Sequence, residues 1–224
     1  GYTDDLMETW RLLDTGALSA AENMALDEIL LELKAEGRIP HTLRFLQFSR
    51  PSVLVGHHQS VEEEVRLDYC WEKGIEINRR LTGGGALYWG RQELGWEMYI
   101  SKTDPRIPGR IEDLYRKMGE AGAQGLRHLG VRAHFRPRND IEVQGRKISG
   151  TGGTDLSGAI LFQGTVLVDF DIDEMLRALE TAKKQGTCRF TAISTHDRDW
   201  AQTLIEKHPE GLLPFDGSEQ QLRE

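Results

Sequence analysis

The sequence predicts an α/β fold of the α+β kind, with a mixed, largely antiparallel sheet flanked by helices. Three observations predict it. Short apolar runs come in pairs joined by turns, segments of helical period are interspersed among them, and no internal repeat or low-complexity linker divides the 224 residues. The regular β–α alternation of a doubly wound parallel sheet is missing.

The elements follow in order. Ser19-Ala20-Ala21-Glu22 has the form of a capping box, and Leu26, Ile29, Leu30 and Leu33 then recur on one helical face until Gly37. Thr42–Phe48 and Ser52–Val55 are strand candidates, the second a compact apolar run ahead of Gly56. Ile75 and Ile77 alternate with polar residues up to Arg79. Leu94, Trp96, Met98 and Ile100 alternate cleanly and predict a half-buried strand. A second helix carries Ile111, Leu114, Tyr115, Met118, Gly122 and Leu129 on one side. Ile141–Ile148 predicts a hairpin turning at Gln144-Gly145, Ile160–Val168 a further strand, and Asp171–Leu179 a third helix. Cys70 falls on a predicted buried helical position. Residues 1–200 are expected to form one domain and 201–224 a peripheral acidic segment.

Composition narrows the function. No run of 18 apolar residues predicts a membrane-spanning helix, so no membrane partner is expected. Gly1–Asp5 has neither a basic nor an apolar leader region. The two cysteines, Cys70 and Cys188, argue against a disulfide scaffold, and a cytoplasmic location is expected. A net charge of −8 disfavours a nucleic-acid partner. The charge is uneven, however. Residues 127–147 hold Arg127, Arg132, Arg136, Arg138, Arg146 and Lys147 against Asp140 and Glu142, a net +4 in a chain that is −12 elsewhere. Such an island in an acidic protein predicts a small anionic ligand.

Two segments have the composition of that site. In Arg79-Arg80-Leu81-Thr82-Gly83-Gly84-Gly85-Ala86-Leu87, three glycines let backbone N–H groups approach an anion, and two arginines are able to grip a carboxylate or phosphate. The plainer alternative is a hairpin turn with solvated arginines. It is neither a P-loop nor a dinucleotide fingerprint. In Arg138-Asn139-Asp140 and Arg146-Lys147-Ile148-Ser149-Gly150, a lysine precedes a Gly/Ser/Thr-rich stretch, Gly150–Gly158, read as a mobile lid. Asp140 is placed to offer an oxygen ligand to Mg²⁺. His57 and His58 lack a further metal ligand at suitable spacing.

Together with Asn23–Glu28, Gly56-His57-His58-Gln59 and Gln163-Gly164-Thr165-Val166-Leu167, these blocks resemble the lipoate–protein ligase family over roughly residues 10–180. The resemblance implies an enzyme with the biotin/lipoate ligase fold. It would use ATP and Mg²⁺ to activate lipoate as lipoyl-AMP, and then transfer the lipoyl group to a lysine of a lipoyl-domain protein. A 2-oxoacid dehydrogenase E2, a glycine cleavage H protein or another lipoate-binding protein would serve as acceptor. Lys147 would be catalytic. Arg80, Thr82, Gly84, Gly85, Leu87, Asn139, Asp140, Ser149 and Gly150 would bind the nucleotide. Met24, Arg80, Gly85 and Leu87 would bind the acyl substrate, and Asp140 the metal. Trp89 and Gln163 stand where the family usually has histidines. The accessory C-terminal domain of many members is not evident, so a separate small accessory subunit is a possible partner. Two rivals stand beside the ligase. One is an ATP-independent octanoyl- or lipoyltransferase of the same fold with a cysteine nucleophile, for which the stretch Ala133–Asp140 offers no cysteine. The other is a non-catalytic lipoate- or nucleotide-binding homologue.

Overall fold

The computed structural model describes residues 9–179 and, as backbone only, 191–193 and 212–214. In chain order the elements are β1 (Arg11–Leu18), α1 (Ala20–Ala35), β2 (Thr42–Phe48), β3 (Ser52–Val55), α2 (Val61–Glu64), α3 (Leu67–Lys73), β4 (Glu76–Arg79), β5 (Leu87–Trp89), β6 (Leu94–Ser101) and α4 (Ile111–His128). There follow β7 (His134–Arg136), β8 (Asp140–Val143), β9 (Arg146–Leu156), β10 (Ala159–Val166), α5 (Ile172–Leu179), β11 (Thr191–Ile193) and β12 (Leu212–Pro214).

Seven strands form one sheet in the order β1-β2-β6-β10-β9-β8-β7, parallel only between β1 and β2. A smaller sheet, β4-β3-β5, pairs β3 parallel to β4 and antiparallel to β5. The mixed, largely antiparallel architecture is the one the sequence predicts.

Local chemistry explains several elements. The Ser19 hydroxyl caps the Glu22 N–H at 3.2 Å, and the Glu22 carboxylate returns to the Ser19 N–H at 2.9 Å, so the expected capping box starts α1. The hairpin between β8 and β9 turns at Gln144 and Gly145, with φ of 53° and 77°, as a tight turn with left-handed central residues requires.

Two expectations change. Strand β6 is buried on both faces, because helices cover both sides of the large sheet. Trp96, Met98 and Ile100 pack with Leu114 and Met118 of α4, whereas Tyr99 packs with Leu30 and Leu31 of α1. The stretch Gly150–Gly158 is not a lid. Its residues up to Leu156 complete β9 and pair with β10, with a turn at Ser157 and Gly158. Its small residues serve close approach: a Cβ on Gly153 would lie 3.1 Å from the Leu161 carbonyl oxygen. Strand β1 lacks a clean sequence pattern because only one side of it pairs and its residues alternate between exposed and half-buried. Cys70 is fully buried in α3, as its position predicts. Cys188 and the expected peripheral segment 201–224 lie outside the described residues, apart from the β12 backbone.

Glycines on α4 give a test of how β7 is seated. A Cβ on Gly119 would lie 2.2 Å from the Phe135 ring of β7, whereas one on Gly125 meets nothing within 4 Å. Gly119→Ala is expected to lower stability by about 1–3 kcal/mol through overpacking. Gly125→Ala is expected to raise it by up to about 1 kcal/mol through helix propensity. Urea unfolding midpoints of the two variants check both signs.

Candidate functional site

A cavity of about 720 Å³ opens between the two sheets, within the size range of small-molecule sites. Its wall includes the apolar cluster Met24, Leu46, Phe48 and Leu54 and the polar residues Arg80, Glu93, Glu97, Asn139 and Lys147. Of the residues singled out in the sequence, Met24, Arg80, Thr82, Gly84, Gly85, Leu87, Asn139, Lys147 and Gly150 all line it. A second depression of about 350 Å³, beside Trp71 and the start of α1, holds none of them.

Strand β9 places Lys147. Its ammonium lies 2.7 Å from Asp140 Oδ1 across the β8–β9 hairpin. Gly150 keeps the space above its own Cα clear for that side chain, since a Cβ there would lie 3.2 Å from Lys147 Cε. Asn139 is held by three hydrogen bonds to Thr151: its carbonyl accepts from the Thr151 N–H at 2.8 Å and hydroxyl at 2.9 Å, and its amide donates to the Thr151 carbonyl at 3.1 Å.

Two expected residues stand apart. Ser149 is fully buried opposite Ile141, its hydroxyl without a partner, and does not line the cavity. The cause is a bulge: Glu142 pairs with Lys147 and Ile141 with Ser149, so Ile148 is the extra residue. Asp140 is also outside the cavity wall, and its carboxylate is buried and paired with Lys147. Among the described residues no group of three His, Cys, Asp or Glu comes together as a metal site. One carboxylate already holding an ammonium does not fit a resident Mg²⁺ site.

The paired arginines differ from expectation as well. Arg79 donates from Nη1 to the carbonyls of Gly56, His57 and Gln59 and so staples that loop. Arg80 donates to the Thr82 hydroxyl and to the carbonyls of Leu54, Gly83 and Gly85 at 2.7–3.1 Å. The bidentate grip on an anion is therefore replaced by a grip on the glycine turn, because an arginine buried beside a turn meets backbone carbonyls first. Arg80 is 6% exposed, no ion pair among the described residues involves it, and burial pulls its pKa down to about 10. A buried cation with no carboxylate partner among the described residues biases the cavity wall toward an anionic or carbonyl-bearing ligand. His57 and His58 stack edge-on at 4.7 Å in an exposed loop, outside the cavity lining.

Beneath the turn runs a buried network that the sequence motifs do not announce. Arg44, fully buried, donates to Asp27 Oδ1 at 2.7 Å, to Glu97 Oε2 at 3.1 Å and to Asn23 Oδ1 at 2.6 Å. The Tyr99 hydroxyl donates to Glu97 at 2.8 Å. Gln163 donates to Asp27 at 3.1 Å and Glu97 at 2.9 Å, and accepts from the Thr82 hydroxyl at 2.9 Å. Thr82 in turn accepts from Arg80 Nε at 3.1 Å. The available signal was phase: Arg44 shares the buried face of β2 with Thr42, Leu46 and Phe48.

Residues 19–201 match the family described as lipoyl protein ligase A/B catalytic domain. The chain belongs to this family. The octanoyltransferase LipM of Geobacillus kaustophilus is 35% identical over 196 residues, covering 77% of this chain and 69% of that protein. A bipartite lipoate protein ligase from Thermoplasma acidophilum, solved with work on its E2 lipoyl domain, has a TM-score of 0.66 at 27% identity, covering 95% of this chain and 78% of that one. A lipoate-protein ligase A bound with ATP has a TM-score of 0.64 at 26% identity, covering 95% and 91%. Family membership and the lipoate/biotin ligase fold are thus as the sequence predicts, and the chain is an enzyme of lipoyl-group metabolism. No helix among the described residues is long and apolar enough to cross a membrane.

The buried carboxylates yield a pH prediction. Burial, then the Glu97 charge, hold Asp27 well above the usual aspartate range, against the pull of Arg44. The folded state therefore retains a proton that the unfolded chain releases, so this group's contribution to stability falls as pH rises from the unfolded aspartate range toward the folded value. Asp27→Asn removes that loss. Its stability relative to the unaltered protein should improve between pH 5 and pH 8, as read from urea midpoints. A gap constant across that range would contradict the assignment.

Proposed function

We propose that this chain transfers an octanoyl or lipoyl group to the ε-amine of a lysine on a lipoyl domain. The observation that carries the reading is the cavity itself, whose wall joins an apolar cluster to the Lys147 side chain and the glycine turn. The acyl chain occupies the depth beside Met24, Leu46 and Phe48, and Leu87 borders it. The acyl carbonyl lies toward Lys147. As the acceptor amine attacks, the carbonyl oxygen gains negative charge, which the Lys147 ammonium stabilises. Asp140 orients that ammonium through the 2.7 Å ion pair. The glycine turn at Gly84 and Gly85 completes a polar rim with Asn139 beside it, whereas the Thr82 hydroxyl and the Gly150 N–H are given to Gln163 and Thr165 and act by holding the rim in place. A C–N bond forms, the bond from carbonyl carbon to the leaving group breaks, and the amine proton departs with the leaving group or to solvent.

The relatives' name, octanoyltransferase, supports a direct octanoyl transfer as the first reading. One observation favours the second reading, ATP-driven activation of the free acid with Mg²⁺ carried in on the nucleotide phosphates. Among the described residues no cysteine lines the cavity. Cys70 is buried in an apolar cluster, with burial first and then Asp68 pushing its thiol up to about 11. A cysteine relay on this chain would fall to Cys188.

Two donor mixtures decide between the readings, each with an apo lipoyl domain and followed by acceptor mass: an octanoyl thioester alone, and octanoate or lipoate with ATP and Mg²⁺. Adduct from the first supports the transferase, adduct only from the second supports the ligase, and adduct from neither contradicts the proposal. With the productive donor, Lys147→Ala is expected to lower kcat by about 10²–10³-fold, in line with the loss of one oxyanion-stabilising group. Cys70→Ala is expected to leave the rate within about twofold, since at pH 8 a thiol of this pKa is ionised in roughly one molecule per thousand.

A further inference from the structure

The basic island folds into one place. Among the described residues strand β7 is the outer edge of the large sheet and pairs only with β8. Ahead of it lies the end of α4, whose last turn carries Arg127 and His128, followed by Leu129, Gly130, Val131 and Arg132. Leu129 is 79% exposed, the most exposed of the large apolar residues described. Arg132 and Arg138 flank the edge strand and are exposed.

Register links this edge to the site. His134 on β7 stands opposite Glu142 on β8, which stands opposite Lys147 on β9. Ion pairs bind the same face together: His134 to Glu142 at 3.7 Å, Arg136 to Glu142 at 2.7 Å and Lys147 to Asp140. Phe135 lies on the other face, against Gly119 of α4. Two strand spacings therefore separate the edge from Lys147, about 10 Å. An extended lysine side chain covers a little over half of that span, so the turn that carries it overhangs β7 by the remainder.

The acids here are few and engaged. Glu142 is 5% exposed beneath Arg136 and His134, Asp140 is 6% exposed beneath Lys147, and Glu120 lies 3.8 Å from Arg127. The outward charge is thus positive on a chain that is acidic elsewhere. An exposed apolar side chain between Arg127 and Arg132 in the chain, beside a strand at the edge of the described sheet, has the make-up of a protein interface core and rim. A small anion would need none of the exposed apolar surface.

We infer that the end of α4, Leu129–Arg132 and the β7 edge form the docking surface for the acceptor, a small protein domain with an acidic surface around its target lysine. This rests on the acyl-transfer reading of the cavity. The acceptor's acidic residues meet Arg132 and its neighbours, its apolar contact is Leu129, and its lysine crosses β7 and β8 toward Lys147. The arrangement also accounts for the position of the island. Charge at the rim speeds encounter and fixes orientation without touching the reacting atoms.

The test uses an apo lipoyl domain of acidic surface, the donor on which the unaltered protein is active, and the variants Arg132→Glu, Leu129→Ser and Arg132→Lys. Arg132→Glu is expected to raise KM for the acceptor domain about tenfold at low salt, with the gap closing in 0.5 M salt as the charges are screened. The acyl donor's KM and the kcat at saturating acceptor should hold within twofold. Leu129→Ser should raise the acceptor KM severalfold without that salt dependence, and Arg132→Lys should behave as the unaltered chain. An unchanged acceptor KM in Arg132→Glu and Leu129→Ser overturns the docking surface while leaving acyl transfer standing. A rise in the donor KM instead assigns the edge to the donor and overturns it as well. Absence of transfer by the unaltered chain overturns both readings together.

Discussion

The Arg44 guanidinium, buried between two carboxylates, is the interaction on which the rest of the site depends. An arginine with no exposed surface in the middle of a sheet survives only if every charge near it is answered. Asp27 from α1 and Glu97 from β6 answer it, so the helix and two strands are held in one geometry. Removing Arg44 would leave two carboxylates facing each other in a dry interior. Burial first, and the Glu97 charge second, already hold Asp27 above its ordinary range.

That arrangement reaches the cavity through two polar side chains. Gln163 ties the carboxylates to the Thr82 hydroxyl, and Thr82 ties Gln163 to Arg80. Arg80 in turn holds the carbonyls of Gly83 and Gly85, so the glycine turn keeps its shape without a bound ligand. Gly56 closes the far side: a Cβ there would lie 2.0 Å from the Gly84 carbonyl oxygen, and Arg79 locks the loop that carries it. The polar end of the cavity is thereby preorganised, which is the condition under which fixed charges stabilise a reacting carbonyl. Gln163 is well suited to this post. Its amide donates two hydrogen bonds to carboxylates and accepts one from a hydroxyl, and carries no charge of its own.

Much of this was legible in the sequence where the determinants are local. The Ser19–Glu22 capping box, the Gln144-Gly145 turn and the strands Thr42–Phe48 and Ser52–Val55 depend on neighbours in the chain, and they stand where the pattern puts them. The clustering of Lys147, Gly150, Asn139 and the glycine turn was legible from motif order. Other features were not, because partners distant in sequence decide them. Arg44 and Glu97 are 53 residues apart, and an alternating strand does not reveal that its second face is also covered. The glycines after Ser149 suggested mobility, yet they permit close packing in a paired strand. Arg79 and Arg80 suggested a clamp on an anion, yet turn carbonyls at hydrogen-bond distance took most of their donors. Ser149 left the site through a single-residue bulge at Ile148, a detail that motif spacing does not encode.

The central claim is that Arg80 acts as the end of a chain anchored at Arg44, with Gln163 as the link. The most direct test is a double-mutant cycle on acyl-transfer kcat/KM with Gln163→Leu, Arg80→Lys and the two combined. If the two side chains act as one unit, the double variant loses less than the sum of the single losses, with a coupling of at least about 1 kcal/mol. Losses that add to within about 0.5 kcal/mol would show that Gln163 and Arg80 act independently, and would contradict the account.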